Sequence, residues 1–570
     1  MPPSHASDHH PALLRWLVLA LSCFLMIGNY YCYDNPAALK SQLQQHFGAY
    51  SRDVFEMRFV SAYAYEAVLL LLLCSHIINL LYTLYSIPNT VLPFFGGAFV
   101  DRFGINTALL LFSSFILVGQ VIFASGSSFV SFNLMLIGRF VVGLGGECLS
   151  VAQGALVVEW FKNEEIAFAM GLNLSISRLG SVINNELSPI VAEATNVSIA
   201  LWVGVLMCVV STVSVLLIVW INVRVKQQKR LQALMVKNFG DDEDDGFVPE
   251  SITLSDVKDF RPSVWLLVFS AIVIYGCVVP FNSVASSLLM ERDYFKQPPH
   301  ACLRCGEGVY VDLLDCTEIA SECPSVPPYA WPLPKLSANC SISEPQDQLN
   351  CSSASPYIED FKINCDDDAW KNGPLTKMYC EKKTEAAVKA ATPMSIPYLI
   401  SATVSPFLGF LVDRIGLRAL LNLVAAVLLI VAHSLLGLTT MTPFIPLTLQ
   451  GVAYTVFASV VWPSIPFVVE EHHIGTGYGV LTAAMNIGLT FFPIVVATLY
   501  EHAHRYIPNV ELFFIMLATL GVLNGIALNA YDWKHHWVLN RGVVSSEDPL
   551  SSSHKHKELL PDETTSLLSR

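Results

Sequence analysis

Apolar runs of about twenty residues, separated by short polar turns, recur along nearly the whole chain. A helix needs ~20 mostly apolar residues to cross a bilayer core about 30 Å thick, because it rises about 1.5 Å per residue. Runs of that kind lie near 14–34, 76–100, 107–126, 131–159, 166–192 and 198–222, and again near 263–290, 386–412, 417–438, 444–469, 477–500 and 508–532. The pattern predicts twelve membrane-spanning helices. The first run continues into Tyr30-Tyr31-Cys32-Tyr33-Asp34 without a small-residue cleavage site, so it reads as a retained span rather than a signal peptide. One stretch resists the parsing. From about 60 to 100 the apolar residues outrun a single helix, and Leu69 to Leu73 fit an extended helix, a re-entrant piece or a misjoined gene model.

Composition agrees with an all-α polytopic membrane protein. Hydrophobic residues make up 53% of the 570 and charged residues 14%, too few charges for the surface of a soluble protein of this size. The formal net charge of −14 argues against nucleic acid as a partner. Much of the charge sits in loops and tails, including the run Asp241, Asp242, Glu243, Asp244, Asp245, which reads as a solvated cytosolic loop.

The fourteen cysteines divide into two groups. Cys23, Cys32, Cys74, Cys148, Cys208 and Cys277 fall in the apolar runs and read as small apolar filler. Cys302, Cys305, Cys316, Cys323, Cys340, Cys351, Cys365 and Cys380 crowd the loop between the seventh and eighth spans, an even and dense set that predicts a disulfide framework in an oxidising compartment. Cys302-x-x-Cys305 is a weak zinc signal, because no second such pair follows. The same loop carries glycosylation sequons at Asn339 and Asn350, and a third stands at Asn196 after the fifth span. A cytosolic N-terminus puts both loops on the lumenal or extracellular side. It also puts Arg224, Lys226, Lys229 and Arg230 on the cytosolic side, as the positive-inside rule expects.

The chain repeats a motif. Gly97-Ala-Phe-Val-Asp101-Arg102-Phe-Gly104 follows the second span, and Gly409-Phe-Leu-Val-Asp413-Arg414-Ile-Gly416-Leu-Arg418 follows the eighth. The glycines allow close helix approach, and the aspartate can cap a helix or pair with a cation when a cytosolic gate closes. Two copies in register resemble the signature of major facilitator transporters, and Arg139-Phe-Val-Val-Gly143-Leu-Gly145-Gly146 resembles a second signature on the fourth span. The resemblance implies two six-helix bundles around a central cavity that rock to give alternating access. On that plan residues 1–13 are a cytosolic tail, 14–222 the first bundle and 223–262 a cytosolic linker. Residues 263–532 are the second bundle with a lumenal insert over about 296–385, and 533–570 a cytosolic tail. Asp101, Arg102, Arg139, Asp413 and Arg414 are the expected gate residues.

A charge inside a membrane span is costly and is usually paired or functional. Glu147 on the fourth span and Arg178 on the fifth each sit more than ten residues from the cytosolic turn at Trp160–Glu165, roughly 17–20 Å inward at helical rise. On consecutive antiparallel helices they reach similar depth. An acid and a guanidinium there suit a zwitterion, with the carboxylate taking an ammonium and the arginine gripping a carboxylate. A structural pair that neutralises itself is the alternative. Arg139 could bind an anion, but its motif position favours a structural or gating role, and Glu186 lies nearer the lumenal end. The second half offers nearly uncharged candidates: Tyr275, Asn282, Trp462 and Asn486, which as substrate contacts compete with a reading as ordinary packing. Tyr275 and Trp462 are taken as substrate contacts. His472 and His473 read as solvated turn residues, and no intramembrane histidine relay is evident.

Further segments narrow the resemblance. They are Gly28-Asn-Tyr-Tyr-Cys32-Tyr33-Asp34-Asn35-Pro36-Ala37-Ala38-Leu39, Gly145-Gly146-Glu147, Trp160-Phe161-Lys162, Ser177-Arg178-Leu179-Gly180-Ser181, Asp256-Val257-Lys258-Asp259-Phe260 and the run Val469 to Gly479. Together they resemble the lysosomal dipeptide uniporter branch of the major facilitator domain-containing proteins. That resemblance implies export of dipeptides from lysosome to cytosol without ion coupling, and a single-span glycosylated lysosomal accessory subunit as partner. It also implies that the peptide ammonium meets the position of Glu147 and the peptide carboxylate that of Arg178. This chain departs from the family in its eight-cysteine insert and in its sorting signal. The family's signal is N-terminal, whereas here Glu563-Thr-Thr-Ser-Leu567-Leu568 forms an acidic dileucine at the C-terminal end. A carrier of another organic anion or zwitterion, and a non-transporting receptor or scaffold, are the competing classes. No nucleophile triad or metal-ligand cluster is evident, so neither an enzyme nor a cofactor is expected.

Overall fold

The computed structural model describes residues 12–39, 43, 46, 77–161, 165–237, 257–258, 260–295, 365, 368–373, 376–503 and 505–542. Among these, twelve long helices follow one another: α1 (Ala12–Ala38), α2 (Ile77–Phe103), α3 (Ile105–Ser128), α4 (Phe132–Phe161), α5 (Ile166–Ala194), α6 (Val197–Lys237), α7 (Pro262–Leu289), α8 (Lys377–Ile415), α9 (Arg418–Leu438), α10 (Phe444–Val468), α11 (Ile474–Ala503) and α12 (Asn509–Lys534). Each coincides with one of the predicted spans. Eleven are long and apolar enough to cross a membrane. The remaining one, α2, has a comparable 27 residues, but Pro88, Asn89, Thr90 and Pro93 dilute its apolar run.

The lipid-facing surface can be read along α6. Leu206, Val210, Val213, Leu217 and Trp220 are all exposed and recur at helical spacing, which lays one apolar stripe along an outer face. Such a stripe is stable only against lipid or a partner helix.

Two helices outrun their apolar segments. Helix α6 continues to Lys237, so the first part of the expected linker is helical. Helix α8 starts at Lys377, so the last part of the expected lumenal insert is helical too. Hydropathy marks only the part of a helix that lies in the membrane, and the extension of α8 is polar. Lys377 and Glu381 approach to 3.9 Å and Lys389 and Glu385 to 2.8 Å, pairs four residues apart that support an exposed helix. At its base Cys380 forms a disulfide with Cys365. Cys302, Cys305, Cys316, Cys323, Cys340, Cys351, Asn339 and Asn350 lie outside the described residues. So do Cys74, Leu69 to Leu73, the acidic run at 241–245, and Glu563, Leu567 and Leu568. Cys23, Cys32, Cys148, Cys208 and Cys277 are buried and not in disulfides.

The packing repeats between halves. Helix α1 packs on α5 and α6, α2 on α4, and α3 on α4 and α6; α7 packs on α11 and α12, α8 on α10, and α9 on α10 and α12. The halves join chiefly along α2 against α11 and α5 against α8. The connections α2–α3, α4–α5, α8–α9 and α10–α11 gather at the end that the sequence orientation assigns to the cytosol.

Candidate functional site

The repeated motif closes that end of the molecule. Asp101 Oδ1 accepts the backbone N–H of Gly475 at 2.7 Å, and Oδ2 accepts the N–H and the hydroxyl of Thr476 at 2.6 Å each. Asp413 accepts the N–H groups of Ala167 at 3.0 Å and Phe168 at 2.9 Å. Each aspartate thus caps a helix of the opposite half, α11 or α5, whose first N–H groups have no intrahelical partner and carry positive partial charge. A Cβ on Gly97 would meet the carbonyl of Gly475, and one on Gly409 would meet that of Ala167, so glycine is what lets the halves touch here. Gly104 and Gly416, the closing glycines of the two copies, have φ of +85° and +73°, which suits residues without a Cβ.

The motif arginines do not share this arrangement. Arg102 and Arg414 are exposed, and their guanidinium groups lie over the rings of Phe103 (5.5 Å) and Phe410 (4.3 Å) of their own helices. Arg418, by contrast, lies 3.5 Å from Asp413 and is stacked 4.3 Å from the ring of Phe467.

Arg139 is fully buried and does something different. Its Nη1 donates to the carbonyl of Cys32 at 2.8 Å and its Nη2 to that of Tyr33 at 3.0 Å. Pro36 lies inside α1, four residues after Cys32. Proline has no N–H, so the Cys32 carbonyl loses its helical donor, and inside a membrane it needs a substitute. Arg139 supplies it.

Between the halves lies a chain of polar and aromatic groups. Arg178 on α5 donates to the Ser401 hydroxyl on α8 and to the Tyr454 hydroxyl on α10, and its guanidinium sits 4.7 Å from the Tyr454 ring centre. Tyr454 meets Tyr275 on α7 edge to face at 5.9 Å. The Tyr275 hydroxyl accepts the Trp462 indole N–H at 2.8 Å, and Trp462 stacks on Tyr478 at 6.2 Å. Asn282 donates to the Tyr398 hydroxyl at 3.1 Å.

Glu147 on α4 is half-buried, as is Arg178. Among the described residues the two form no ion pair with each other, which leaves the self-neutralising alternative without a contact to stand on. Tyr30 on α1 lies within electrostatic range of Glu147, Arg178, Tyr454 and Asp34, so all four belong to its neighbourhood. Tyr30, Asp34, Ser401 and Tyr454 were not singled out from sequence as site residues. A tyrosine in an apolar run looks like packing, and only the crossing of the halves brings Tyr454 to Arg178.

Other candidates fall elsewhere. Glu186 is exposed and Asn486 half-buried. Asn196 is exposed, and its side-chain oxygen accepts the N–H of Ile199 at 2.9 Å, capping α6. His433, passed over in the sequence, is fully buried on α9 with Nδ1 2.7 Å from Glu511 Oε2 on α12, between Phe281 and Phe514. At the α10–α11 turn Glu470, His472 and His473 bring one ligand atom each within 4.8 Å of one another.

A family model described as Major Facilitator Superfamily matches residues 16–294 and 383–536. The chain is 29% identical to a zebrafish protein named lysosomal dipeptide transporter MFSD1, over 94% of this chain and 91% of that protein. It is likewise 29% identical to the human protein of that name, over 90% of this chain and 85% of the other. Among solved structures, the proton:xylose symporter XylE superposes with a TM-score of 0.53 at 10% identity, covering 92% of this chain and 96% of that one. The human organic anion transporter MFSD10 gives 0.51 at 13%, covering 91% and 100%.

Proposed function

The chain belongs to the Major Facilitator Superfamily, and from that premise we propose that it exports dipeptides from the lysosome lumen to the cytosol by alternating access, as a uniporter. The substrate class and compartment come from its similarity to the lysosomal dipeptide transporters over most of its length. The observation that carries the reading at the level of chemistry is the unshared pair of charges. Glu147 and Arg178 both lie within electrostatic range of Tyr30 and form no ion pair with each other, so neither charge is neutralised by the other and each can take one end of a zwitterion. In this reading Glu147 holds the peptide ammonium. Arg178 exchanges its hydroxyl partners Ser401 and Tyr454 for the peptide carboxylate, a stronger acceptor because it is charged. Tyr275 and Trp462 form the aromatic wall behind it.

Because Arg178 reaches from the first half to the second, a carboxylate that recruits it also loosens a bond between halves. Binding energy then bears on the rocking step, as a ligand must if it is to shift a conformational equilibrium. In this reading Asp101 and Asp413, with Gly97 and Gly409 of their own helices, form the cytosolic gate in its closed state. Arg139 has a structural role, holding α1 at the carbonyls of Cys32 and Tyr33. The lumenal loop between α7 and α8 is disulfide-bonded and glycosylated at Asn339 and Asn350, with Asn196 a third acceptor, and the dileucine Leu567-Leu568 with Glu563 directs sorting. A single-span glycosylated accessory subunit and the surrounding lipid are its partners in this reading.

Uptake into proteoliposomes of a dipeptide panel, with free amino acids alongside and with and without a pH gradient, tests the function. Transport of dipeptides but not amino acids, unchanged by the gradient, is the expected result. Amino-acid transport alone would move the assignment to another zwitterion carrier, and gradient dependence would replace uniport by proton coupling. Leu567→Ala/Leu568→Ala should relocate the protein toward the plasma membrane.

A further inference from the structure

The turn between α10 and α11 holds a donor set beside the Asp101 contact, with His473 within electrostatic range of Asp101. Glu470 is extended (φ −67°, ψ 153°) and leads into a single 3-10 turn, Glu471–His473, before α11 begins at Ile474. In a 3-10 turn residues three apart lie one above the other, so His473 stands over Glu470, and its backbone N–H donates to the Glu470 carbonyl at 3.0 Å. Glu470 Oε2 is 3.5 Å from His472 Nε2 and 4.0 Å from His473 Nδ1. The two imidazole rings are 5.3 Å apart and tilted by 54°, so they are not stacked.

That spacing suits a metal ion. Zinc bonds imidazole nitrogen and carboxylate oxygen at about 2.0–2.2 Å in a tetrahedron, which sets neighbouring ligand atoms roughly 3.3–3.5 Å apart. The Glu470–His472 distance already has this value, the Glu470–His473 distance of 4.0 Å exceeds it by about half an ångström, and all three ligand atoms lie within 4.8 Å, so a small contraction would close them on an ion. The three ligands also differ usefully in freedom. The His473 side chain is only 16% exposed and meets the ring of Phe260 edge on at 6.3 Å, so it is a fixed ligand. The side chains of His472 and Glu470 are 59% and 71% exposed and can close on an ion without disturbing packing. Two imidazoles and one carboxylate select a zinc-type ion over magnesium or calcium, which take oxygen ligands. Three protein ligands leave a fourth position for water.

The place of the turn gives such a site a consequence. Gly475 and Thr476, whose N–H groups Asp101 holds, follow His473 directly after Ile474. We propose that Glu470, His472 and His473 form a regulatory site for a zinc-type divalent cation reaching the protein from the cytosolic end. The bound ion fixes the start of α11 in the geometry that Asp101 grips, and so slows opening of the gate.

The test uses full-length protein, reconstituted and titrated calorimetrically with zinc chloride, with magnesium chloride as the oxygen-ligand control. Wild type is compared with His472→Ala/His473→Ala and, as an independent variant, Glu470→Gln. Wild type should bind one zinc more than the double variant, with Glu470→Gln weakened at least ten-fold and no magnesium response at that site. Zinc should slow export by wild type relative to its own zinc-free rate and leave the rate of the double variant unchanged relative to its own. Equal zinc binding by wild type and the double variant overturns the site, because the ion is then held elsewhere. Loss of the site with zinc slowing both proteins alike, or neither, overturns its link to the gate. Zinc binding is read independently of substrate, so it stands or falls apart from the dipeptide assignment.

Discussion

Thr476 donates both its backbone N–H and its hydroxyl to one oxygen of Asp101, each at 2.6 Å, across the boundary between the two halves. Asp413 repeats the capping at Ala167 and Phe168 in the other half, where Arg418 adds a cation 3.5 Å away. The contact between the halves at this end is therefore built from carboxylates on helix N-termini, with motif cations secondary.

Asp101→Ala should shift the protein toward the cytosol-open state. Hydrogen bonds to a charged group contribute about 1.5–3 kcal/mol, so the closed-to-open ratio should fall by about 10-fold or more. Spin labels on the α2–α3 and α10–α11 turns would report it as a longer distance population. An unchanged distribution would mean that the glycine contacts, not the aspartate, hold the end shut.

Arg139→Met should destabilise the folded protein without acting on the substrate site. It removes the donors of the Cys32 and Tyr33 carbonyls, and a buried group left without its partner costs about 1–3 kcal/mol. Adding Pro36→Ala returns an N–H four residues after Cys32, so the double variant should recover part of the loss in thermal stability in detergent. Losses that simply add would contradict the account of why Arg139 is there.

The buried pair His433–Glu511 should behave as a unit. Glu511→Leu alone strands His433 among Phe281 and Phe514, and breaking one side of a buried pair costs about 3–5 kcal/mol. Glu511→Leu with His433→Phe should cost clearly less. Dipeptide affinity should stay unchanged in the double variant, since neither residue borders Glu147 or Arg178. A changed affinity would place the pair in the transport mechanism.

Helix positions were legible because a bilayer demands apolar runs of fixed length, and every predicted span coincides with a helix. Helix ends were less so: α8 begins at Lys377 because charged residues four apart support a helix where hydropathy is silent. The repeated motif marked Asp101 and Asp413 as gate candidates, but periodicity could not say that the aspartates meet backbone while Arg102 and Arg414 turn outward. Glu147 and Arg178 stood out as charges in apolar helices. Tyr454 and Ser401 did not, since their partner is more than two hundred residues away and ordinary packing produces the same sequence. His433 and Glu511 are 78 positions apart, and each looks like an isolated polar residue until α9 and α12 pack. For Arg139 a signal was present: a proline inside α1 leaves a carbonyl that something must satisfy.

The charge clamp at Glu147 and Arg178 is tested most directly by competition with blocked peptides. One dipeptide, its N-acetylated form and its C-terminal amide are each competed against labelled substrate on wild type, Glu147→Gln and Arg178→Gln. In wild type each block should weaken binding about 10- to 150-fold, the equivalent of one charge-assisted contact of roughly 1.5–3 kcal/mol. Glu147→Gln should lose most of its discrimination against the acetylated peptide while still rejecting the amide, and Arg178→Gln should show the reverse. Free and blocked peptides competing equally well on wild type would contradict the clamp and leave the two charges a structural role.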